Sequence, residues 1–214
     1  DPEKYRQPGK DLYPGCISEQ KIYEQIFDIL DKRNELAVFN CYNRDIELMK
    51  HLCKLSERLE RTIVFEPESA YILKQMSGIE VPMIELKNQN SPAYQIEMKQ
   101  ERIAAETIRK NPGNYLLQNS YANILTLTDF DGIKGEYFHL FGEPLVEGTK
   151  TWKIMTNVVD KLGWHFHSFS NLYSFSHAYP NQLVYLIERI NAKSVVAVHS
   201  KHPEKLNPVN SRQY

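Results

Sequence analysis

The sequence predicts an α/β protein in which helices cover a parallel sheet in three layers. Two patterns support this fold class. Segments with apolar residues at helical spacing alternate along the chain with short apolar runs, and turn residues separate the two kinds of segment. At 214 residues, with 42% hydrophobic and 25% charged residues, the chain is long enough to bury a substantial core.

The first part of the chain carries clear start and stop signals. Ser18 is the expected N-cap of the first helix and Asn43 that of the second, and Gly78 is expected to end the third. The expected elements are a helix over 19–33, a strand over 36–40, a helix over 43–59, a strand over 61–67 and a helix over 67–76.

The rest of the chain continues this alternation, with one ambiguous segment. Ser91 and Pro92 indicate a helix start, and Gly163 indicates the end of a later helix. Residues 121–130 fit a helix and irregular structure equally. The expected elements are a helix over 91–113, strands over 114–118 and 136–140, a helix over 150–163, a strand over 164–169, a helix over 180–192 and a buried strand over 193–200.

Composition and charge limit the function classes. A net charge of −1 gives no global basic field for nucleic acid, although a local groove on a neutral protein can still be basic. No apolar run is long enough for a transmembrane helix. Three cysteines without CxxC spacing favour a reduced, cytoplasmic protein. The chain opens with Asp-Pro-Glu-Lys, and we interpret it as a piece of a longer protein.

Two histidines occupy positions with chemical meaning. His199 follows the apolar run VVAV, at the carboxyl end of an expected strand, where open α/β sheets bind ligands. His177 lies in SFSHAYP, a turn of small polar residues before a helix start, where backbone N–H groups suit phosphate and an imidazole can donate a proton. Both also fit a structural interpretation, in which His199 is a hydrogen-bonded residue at a strand end and the turn around His177 caps the helix.

A metal site cannot be completed from this sequence alone. His165 and His167 alternate on an expected strand and share a face, but no acidic residue follows them. Zinc needs about four ligands, three of them from protein in a catalytic site, and no such set lies near His199. The missing ligands therefore lie on other sequence, or the metal interpretation is wrong.

Five segments in a fixed order resemble the β-CASP family of metallo-β-lactamase-fold nucleases, especially its ribonuclease J-like members. SFSHA resembles the family's motif B and VVAVHSKHPEKL its motif C, and the distance from His177 to His199 fits the family spacing. The other three segments are ISEQKIYEQI, FNCYNRDIELMKHL and YFHLFGEPL. Four positions depart from the usual pattern: Tyr173, Ser176, Ala197 and Lys201.

The resemblance implies a domain plan and a set of site residues. Residues 1–178 would form the β-CASP domain, and 179–214 a returning helix and strand of the metallo-β-lactamase domain, whose N-terminal half is missing from this chain. His199 would bind one of two zinc ions, and His177 would contact the scissile phosphate as a catalytic residue. The implied substrate-binding residues are Tyr173, Ser174, Phe175, Ser176 and His177, with Asn43 and Arg44 on the nucleic-acid backbone.

Three functions are compatible with these observations. The first is a zinc-dependent ribonuclease, of which this chain supplies the cap, a phosphate-binding loop and one metal ligand and is inactive alone. The second is a metallo-hydrolase with a substrate other than nucleic acid, which the departures in motifs B and C permit. The third is a non-catalytic α/β binding module. If the missing half is the partner, an apolar face is exposed without it, and homodimerisation would cover that face.

Overall fold

The computed structural model describes residues 19–86, 99–169, 180–198 and 212–213. The chain divides into two compact units: Ser18–Tyr173, and a smaller unit that combines Asp1–Ile17 with Ser174–Tyr214. None of the helices in the described ranges is long and apolar enough to cross a membrane. The family assignment of the two units, with its boundary after residue 178, stays a prediction.

The larger unit is built on a five-stranded parallel sheet, which confirms the predicted α/β class. Its strand order is β2–β5–β1–β6–β7, and a short parallel pair, β3 with β4, continues from the β2 side through a bridge between Phe65 and Met83. The elements are α1 (Glu19–Leu30), β1 (Leu36–Cys41), α2 (Ile46–Arg58), β2 (Thr62–Val64), α3 (Pro67–Ser77), β3 (Met83–Ile84), β4 (Arg102–Ile103), α4 (Ala105–Lys110), β5 (Tyr115–Gln118), β6 (Gly135–Leu140), α5 (Lys150–Lys161) and β7 (His165–Ser168). The described part of this unit also contains the 3₁₀ helices Pro112–Asn114 and Tyr121–Phe130.

The central strand β1 is paired on both sides, and all six of its residues are buried. From β1 the chain crosses through α2 to β2, and after β5 it returns to the other side of β1 through β6 and β7. The connection that leaves β1 therefore runs to one side of the sheet, and the connection that leaves β6 runs to the other side. In open α/β sheets, ligands bind at the carboxyl ends of strands at such a switch point.

Side chains alternate between the two faces of the sheet because the pleat has a period of two. Leu36 and Val38 of β1 belong to a core cluster with Tyr137, the 3₁₀ helix Tyr121–Phe130 and α5. Ala37 and Phe39 point to the opposite face, where Phe39 stacks on Phe138. The inward residues of α1 and α2, namely Ile22, Ile26, Leu30, Leu48, Met49 and Leu52, are also buried. The sheet thus has helices on both faces.

The second helix begins two residues later than the sequence predicts. Asn43 is not its N-cap; Asp45 is, and its Oδ1 accepts a hydrogen bond of 3.0 Å from the backbone N–H of Leu48. Asn43 and Arg44 instead form a turn, closed by the hydrogen bond from the Asp45 N–H to the Tyr42 carbonyl. Asn and Asp cap helices about equally well, so composition could not separate the two positions.

The predicted long helix over 91–113 is also wrong in its described part. Residues 102–103 form β4 instead, paired with β3, and α4 covers only Ala105–Lys110. Residues 91–98 lie outside the described residues. The ambiguous segment 121–130 is a 3₁₀ helix with a kink at Asn123.

The smaller unit contains a helix, Pro180–Ile190, and a parallel pair of two-residue strands, Ser194–Val195 with Arg212–Gln213. The prediction that VVAV is a strand buried on both faces is wrong here, because Val196 is 63% exposed and Val198 is 82% exposed. Leu186 and Ile190 of the helix are exposed as well. Apolar composition identified this segment as a core strand, but burial also requires neighbours on both faces.

The role of Asp45 as the N-cap of α2 predicts that substitutions at Asp45 and at Asn43 have different effects on stability. Asp45→Ala should lower the free energy of unfolding by about 1 kcal/mol, since the Leu48 N–H loses its acceptor. Urea titration followed by circular dichroism measures this. Asn43→Ala is the matched control and should stay within about 0.5 kcal/mol of the wild type. Equal losses in both variants would show that Asn43 shares the capping role.

Candidate functional site

The turn after β1 places two predicted site residues at the carboxyl edge of the sheet. Asn43 is half-buried and Arg44 is exposed, directly after the last residue of the central strand and its neighbour Tyr42, which is also exposed. This is the switch point of the sheet. Their predicted contact with a nucleic-acid backbone stays a prediction.

The other predicted site residues lie outside the described residues, so the structure assigns them no position. They are Tyr173, Ser174, Phe175, Ser176, His177 and His199. The separation and mutual orientation of His177 and His199 therefore remain sequence-based expectations.

Asn40, in the penultimate position of β1, fixes the neighbouring turn. It is fully buried, and its Nδ2 donates to the Tyr137 hydroxyl at 3.0 Å and to the Glu143 carbonyl at 2.8 Å. A Cβ on Gly142 would overlap with Asn40 Oδ1, so glycine is required at that point of the turn. Asn40 thereby ties the end of β1 to the loop that follows β6.

His139 lies beside Asn40 in the register of β1 and β6 and is also buried. Its ring meets Trp152 of α5 edge-on, with 4.9 Å between the ring centroids. Burial lowers the pKa of His139 from 6.5 to about 4, and nearby Glu147 opposes this shift only in part. The imidazole is therefore neutral at pH 7 and packs β6 against α5.

A second buried polar cluster joins the ends of β2 and β5. The Glu66 carboxylate accepts hydrogen bonds from Ser120 N–H at 2.7 Å, Ser120 Oγ at 2.7 Å, Asn123 Nδ2 at 2.9 Å and Asn119 Nδ2 at 3.1 Å. Burial raises the pKa of Glu66, and the bonds from Ser120 and Asn123 oppose that rise. Because these donors occupy both of its oxygens, Glu66 holds the loop after β5 in place and is not an open general base.

A cavity of about 260 Å³ lies between the loops that follow β5 and β6. It is bounded by the first residue of the 3₁₀ helix, by the loop that Asn40 fixes and by the start of α5. The lining residues are Tyr121, Glu143, Pro144, Leu145, Val146, Thr149 and Thr151. The carboxyl edge therefore combines an exposed cationic turn with a concave, largely apolar surface.

A third cluster, here called the Glu136 cluster (Arg33, Glu136, His165 and His167), lies at the opposite end of β6. Glu136 Oε1 is 2.9 Å from His165 Nδ1, and Oε2 is 2.6 Å from His167 Nε2. Arg33 makes an ion pair with Oε1. Glu136 is fully buried, whereas the side chains of His165 and Arg33 are partly exposed. A carboxylate only accepts hydrogen bonds, so both imidazoles donate to it.

Sequence reasoning noted the two histidines of this cluster and missed their acidic partner. Glu136 pairs in register with His165 on the neighbouring strand and thus shares its face. The acid is 29 residues away in the chain, and only the pairing of β6 with β7 brings the groups together. Glu136 could have been found from the sequence only if the pairing of β6 with β7 in this register had been known.

The described residues leave the zinc site that the family resemblance implies untested. Among them, no group of three or more His, Cys, Asp and Glu side chains could hold a metal ion. In the Glu136 cluster, the carboxylate is bonded directly to both imidazoles and to a guanidinium, which leaves no shared point for a cation. The implied ligand His199 lies outside this part of the chain.

The two described cysteines are packing residues. Cys41 and Cys53 are buried free thiols. Burial raises the pKa of Cys41 far above its usual range and that of Cys53 to about 11. A thiol must ionise to act as a nucleophile or metal ligand, so neither is suited to those roles. Both side chains therefore act as small hydrophobic residues of the core.

Removal of the charge on Glu136 should destabilise the protein. Glu136→Gln should lower the free energy of unfolding by about 2 kcal/mol, because the new amide N–H₂ faces donors from His165, His167 and Arg33. Chemical denaturation measures the change. Glu47→Gln, which breaks an exposed pair with Lys50, is the control and should leave the midpoint unchanged. If Glu136→Gln also left it unchanged, the cluster would not stabilise β7.

His139 predicts a loss of stability in acid. Its folded pKa of about 4 lies below the unfolded value of 6.5, so the unfolded state binds the extra proton between these pH values. Stability should therefore fall as pH drops through that window, by roughly 3 kcal/mol more in the wild type than in His139→Gln. Denaturant midpoints at intervals from pH 7 to pH 4 measure this. Parallel curves for the two proteins would contradict it.

Comparisons with known proteins show structural similarity but no family. No family model matches the chain, and no curated protein matches it. A solved structure, a protein of unknown function from Enterococcus faecalis V583, superimposes with a TM-score of 0.72 and 23% sequence identity. The match covers 98% of this chain and 47% of that chain, so this chain spans about half the length of its structural relative. At this identity the similarity establishes a shared α/β fold.

Proposed function

We propose that this chain is the β-CASP portion of a zinc-dependent metallo-hydrolase that cleaves phosphodiester bonds, with RNA as its substrate. The observation that carries the proposal is the position of Arg44, exposed in the turn after the central strand at the switch point of a parallel sheet. That is the place where α/β sheets bind ligands, and a guanidinium binds phosphate through two parallel N–H donors.

The surroundings of Arg44 support phosphate binding. The turn is rigid, because the Asp45 N–H bonds to the Tyr42 carbonyl and Asp45 caps the helix that follows. Asn43 adds an amide that donates to phosphate oxygens without adding charge. Exposed Tyr42 adds an aromatic ring of the kind on which bases of single-stranded nucleic acid stack.

The proposed chemistry assigns different tasks to different parts of the protein. Phosphodiester hydrolysis near pH 7 requires charge stabilisation and an activated water, which bound zinc would supply. In the proposal His199 is one zinc ligand, and His177 contacts the scissile phosphate with the loop 173–177. The described residues bind and orient the polynucleotide, and the sequence motifs alone support the catalytic assignments.

The proposed partner is the remainder of the same polypeptide, which would contribute the other zinc ligands. Two findings support the presence of such a packing partner. The structural relative is about twice as long as this chain, and the smaller unit exposes apolar side chains at Leu186, Ile190, Val196 and Val198. A patch of this kind is covered in most stable proteins. The free, buried Cys41 and Cys53 support a reducing compartment, and we place the protein in the cytoplasm.

Charge removal at Arg44 tests the binding role. Arg44→Ala should weaken binding of a single-stranded RNA oligonucleotide about three- to tenfold at low salt and reduce the salt slope by about 1, since one phosphate contact is lost. Fluorescence anisotropy of this chain at several salt concentrations measures both quantities. Lys54→Ala is the matched control: it removes the same charge from an exposed position two turns into α2. Equal effects of the two substitutions would indicate diffuse attraction only.

The same substitution separates binding from catalysis in the longer polypeptide. There, Arg44→Ala should raise KM for RNA with kcat nearly unchanged, whereas His199→Ala should abolish zinc-dependent turnover. Full activity in His199→Ala, or RNA hydrolysis by this chain alone without metal, would overturn the proposed function. Turnover of small phosphodiesters but of no RNA would favour the alternative of a different substrate.

A further inference from the structure

The cavity between the loops after β5 and β6 has no assigned ligand. Its apolar wall is built from Tyr121, Pro144, Leu145 and Val146, and polar side chains of Glu143, Thr149 and Thr151 complete the lining. Leu145 is 67% exposed and Val146 is 62% exposed, so these two aliphatic side chains face solvent beside a concave surface. Exposed apolar residues in such a setting mark binding sites more often than scattered surface residues do.

We propose that this cavity binds one base of a single-stranded polynucleotide, an inference that rests on the proposed function. Every base presents an apolar π-face and a hydrogen-bonding edge. The Tyr121 ring and the aliphatic side chains suit the face, and the Glu143 carboxylate suits the edge as an acceptor. The Thr149 hydroxyl is already bonded to Val146, Thr151 and Trp152, so Thr151 contributes only as an acceptor. At about 260 Å³ the cavity is below the roughly 300–1,000 Å³ of sites for drug-sized ligands, which fits a single ring system.

The position of the cavity agrees with that occupant. Strands β5 and β6 flank β1, so the loops that form the cavity lie on either side of the strand that ends at the Asn43–Arg44 turn. The cavity and the proposed phosphate contact are therefore on the same edge of the sheet. A polynucleotide that lies along this edge would place its backbone at Arg44 and direct a base into the cavity.

The wall of the cavity is preformed. Asn40 Nδ2 donates to the Glu143 carbonyl at 2.8 Å, and the ring of buried His139 meets Trp152 of α5 edge-on, with 4.9 Å between the ring centroids. Thr149 caps α5 by accepting from Trp152 N–H, and its own hydroxyl donates to the Val146 carbonyl. These bonds fix the loop before any ligand arrives, so binding requires little ordering.

Titrations of this chain with adenosine, AMP and inorganic phosphate test the proposal. Methyl NMR signals of Leu145 and Val146 should shift with adenosine and AMP, and not with phosphate. Leu145→Glu should weaken adenosine binding at least fivefold, since it replaces part of the apolar wall with a charge. Leu125→Glu is the matched control: Leu125 is also 67% exposed, lies outside the lining and should leave binding unchanged. Tyr121→Phe should retain binding, and Tyr121→Ala should lose it.

The outcomes distinguish this inference from the function on which it rests. If adenosine produced no shift at Leu145 and Val146 while RNA still bound through Arg44, the base site would be wrong and the proposed function would stand. If adenosine bound as described but the longer polypeptide cleaved no RNA, the base-binding site would be supported and the proposed nuclease function would be wrong. Equal affinity for indole and adenosine would show that the cavity binds any apolar ring, and this result would also refute the proposal.

Discussion

The complete burial of β1 is the constraint on which the rest of the larger unit depends. All six residues from Leu36 to Cys41 are buried, and parallel strands pair with both edges. A strand without a solvent-exposed face must have a layer on each side, which requires α1 and α2 on one face and the 3₁₀ helix with α5 on the other. Parallel neighbours also require long crossovers, and these set the switch between β1 and β6.

At the carboxyl end of the buried central strand, polar groups need hydrogen-bond partners. The chain must turn there, and turns carry backbone groups that need hydrogen-bond partners. Asn40 and Glu66 lie at or just beyond strand ends, and each bonds to a neighbouring loop. Since an unpaired buried polar group costs about 1–3 kcal/mol, each contact favours one loop conformation over the alternatives. The edge that we propose as the binding surface is therefore fixed by its own polar interior.

Local sequence patterns predicted the elements well where the information was itself local. The apolar run at 36–40 identified β1, Gly78 identified the end of α3, where it adopts the left-handed conformation, and the helical spacing at 150–161 identified α5. The choice between Asn43 and Asp45 as cap depended on a turn that composition does not encode. The VVAV segment shows the other limit, since its apolar character gives no information on which neighbours are present to cover it.

The candidate site was only partly predictable for a related reason. The resemblance of FNCYNRDIELMKHL to a family segment selected Asn43 and Arg44, which the structure shows in the turn after β1, and their role in binding stays a prediction. The Glu136 cluster was not identified, because its members come from three segments and meet only through strand register. The buried roles of Asn40 and His139 were likewise invisible, since an Asn or a His in an apolar strand is compatible with many partners.

The two ends of the sheet differ in how their polar groups are used, and this difference supports the binding edge that we propose. At the amino end, the charge of Glu136 is met by Arg33 and by two imidazoles that link β6 to β7, so the cluster is internally satisfied. At the carboxyl end, buried side chains fix the loops, while the Arg44 side chain is exposed. A charge that is already paired inside the protein attracts a ligand only weakly. An exposed guanidinium on a rigid turn binds anions with little ordering cost. This contrast supports the carboxyl edge as the binding surface of the proposed function.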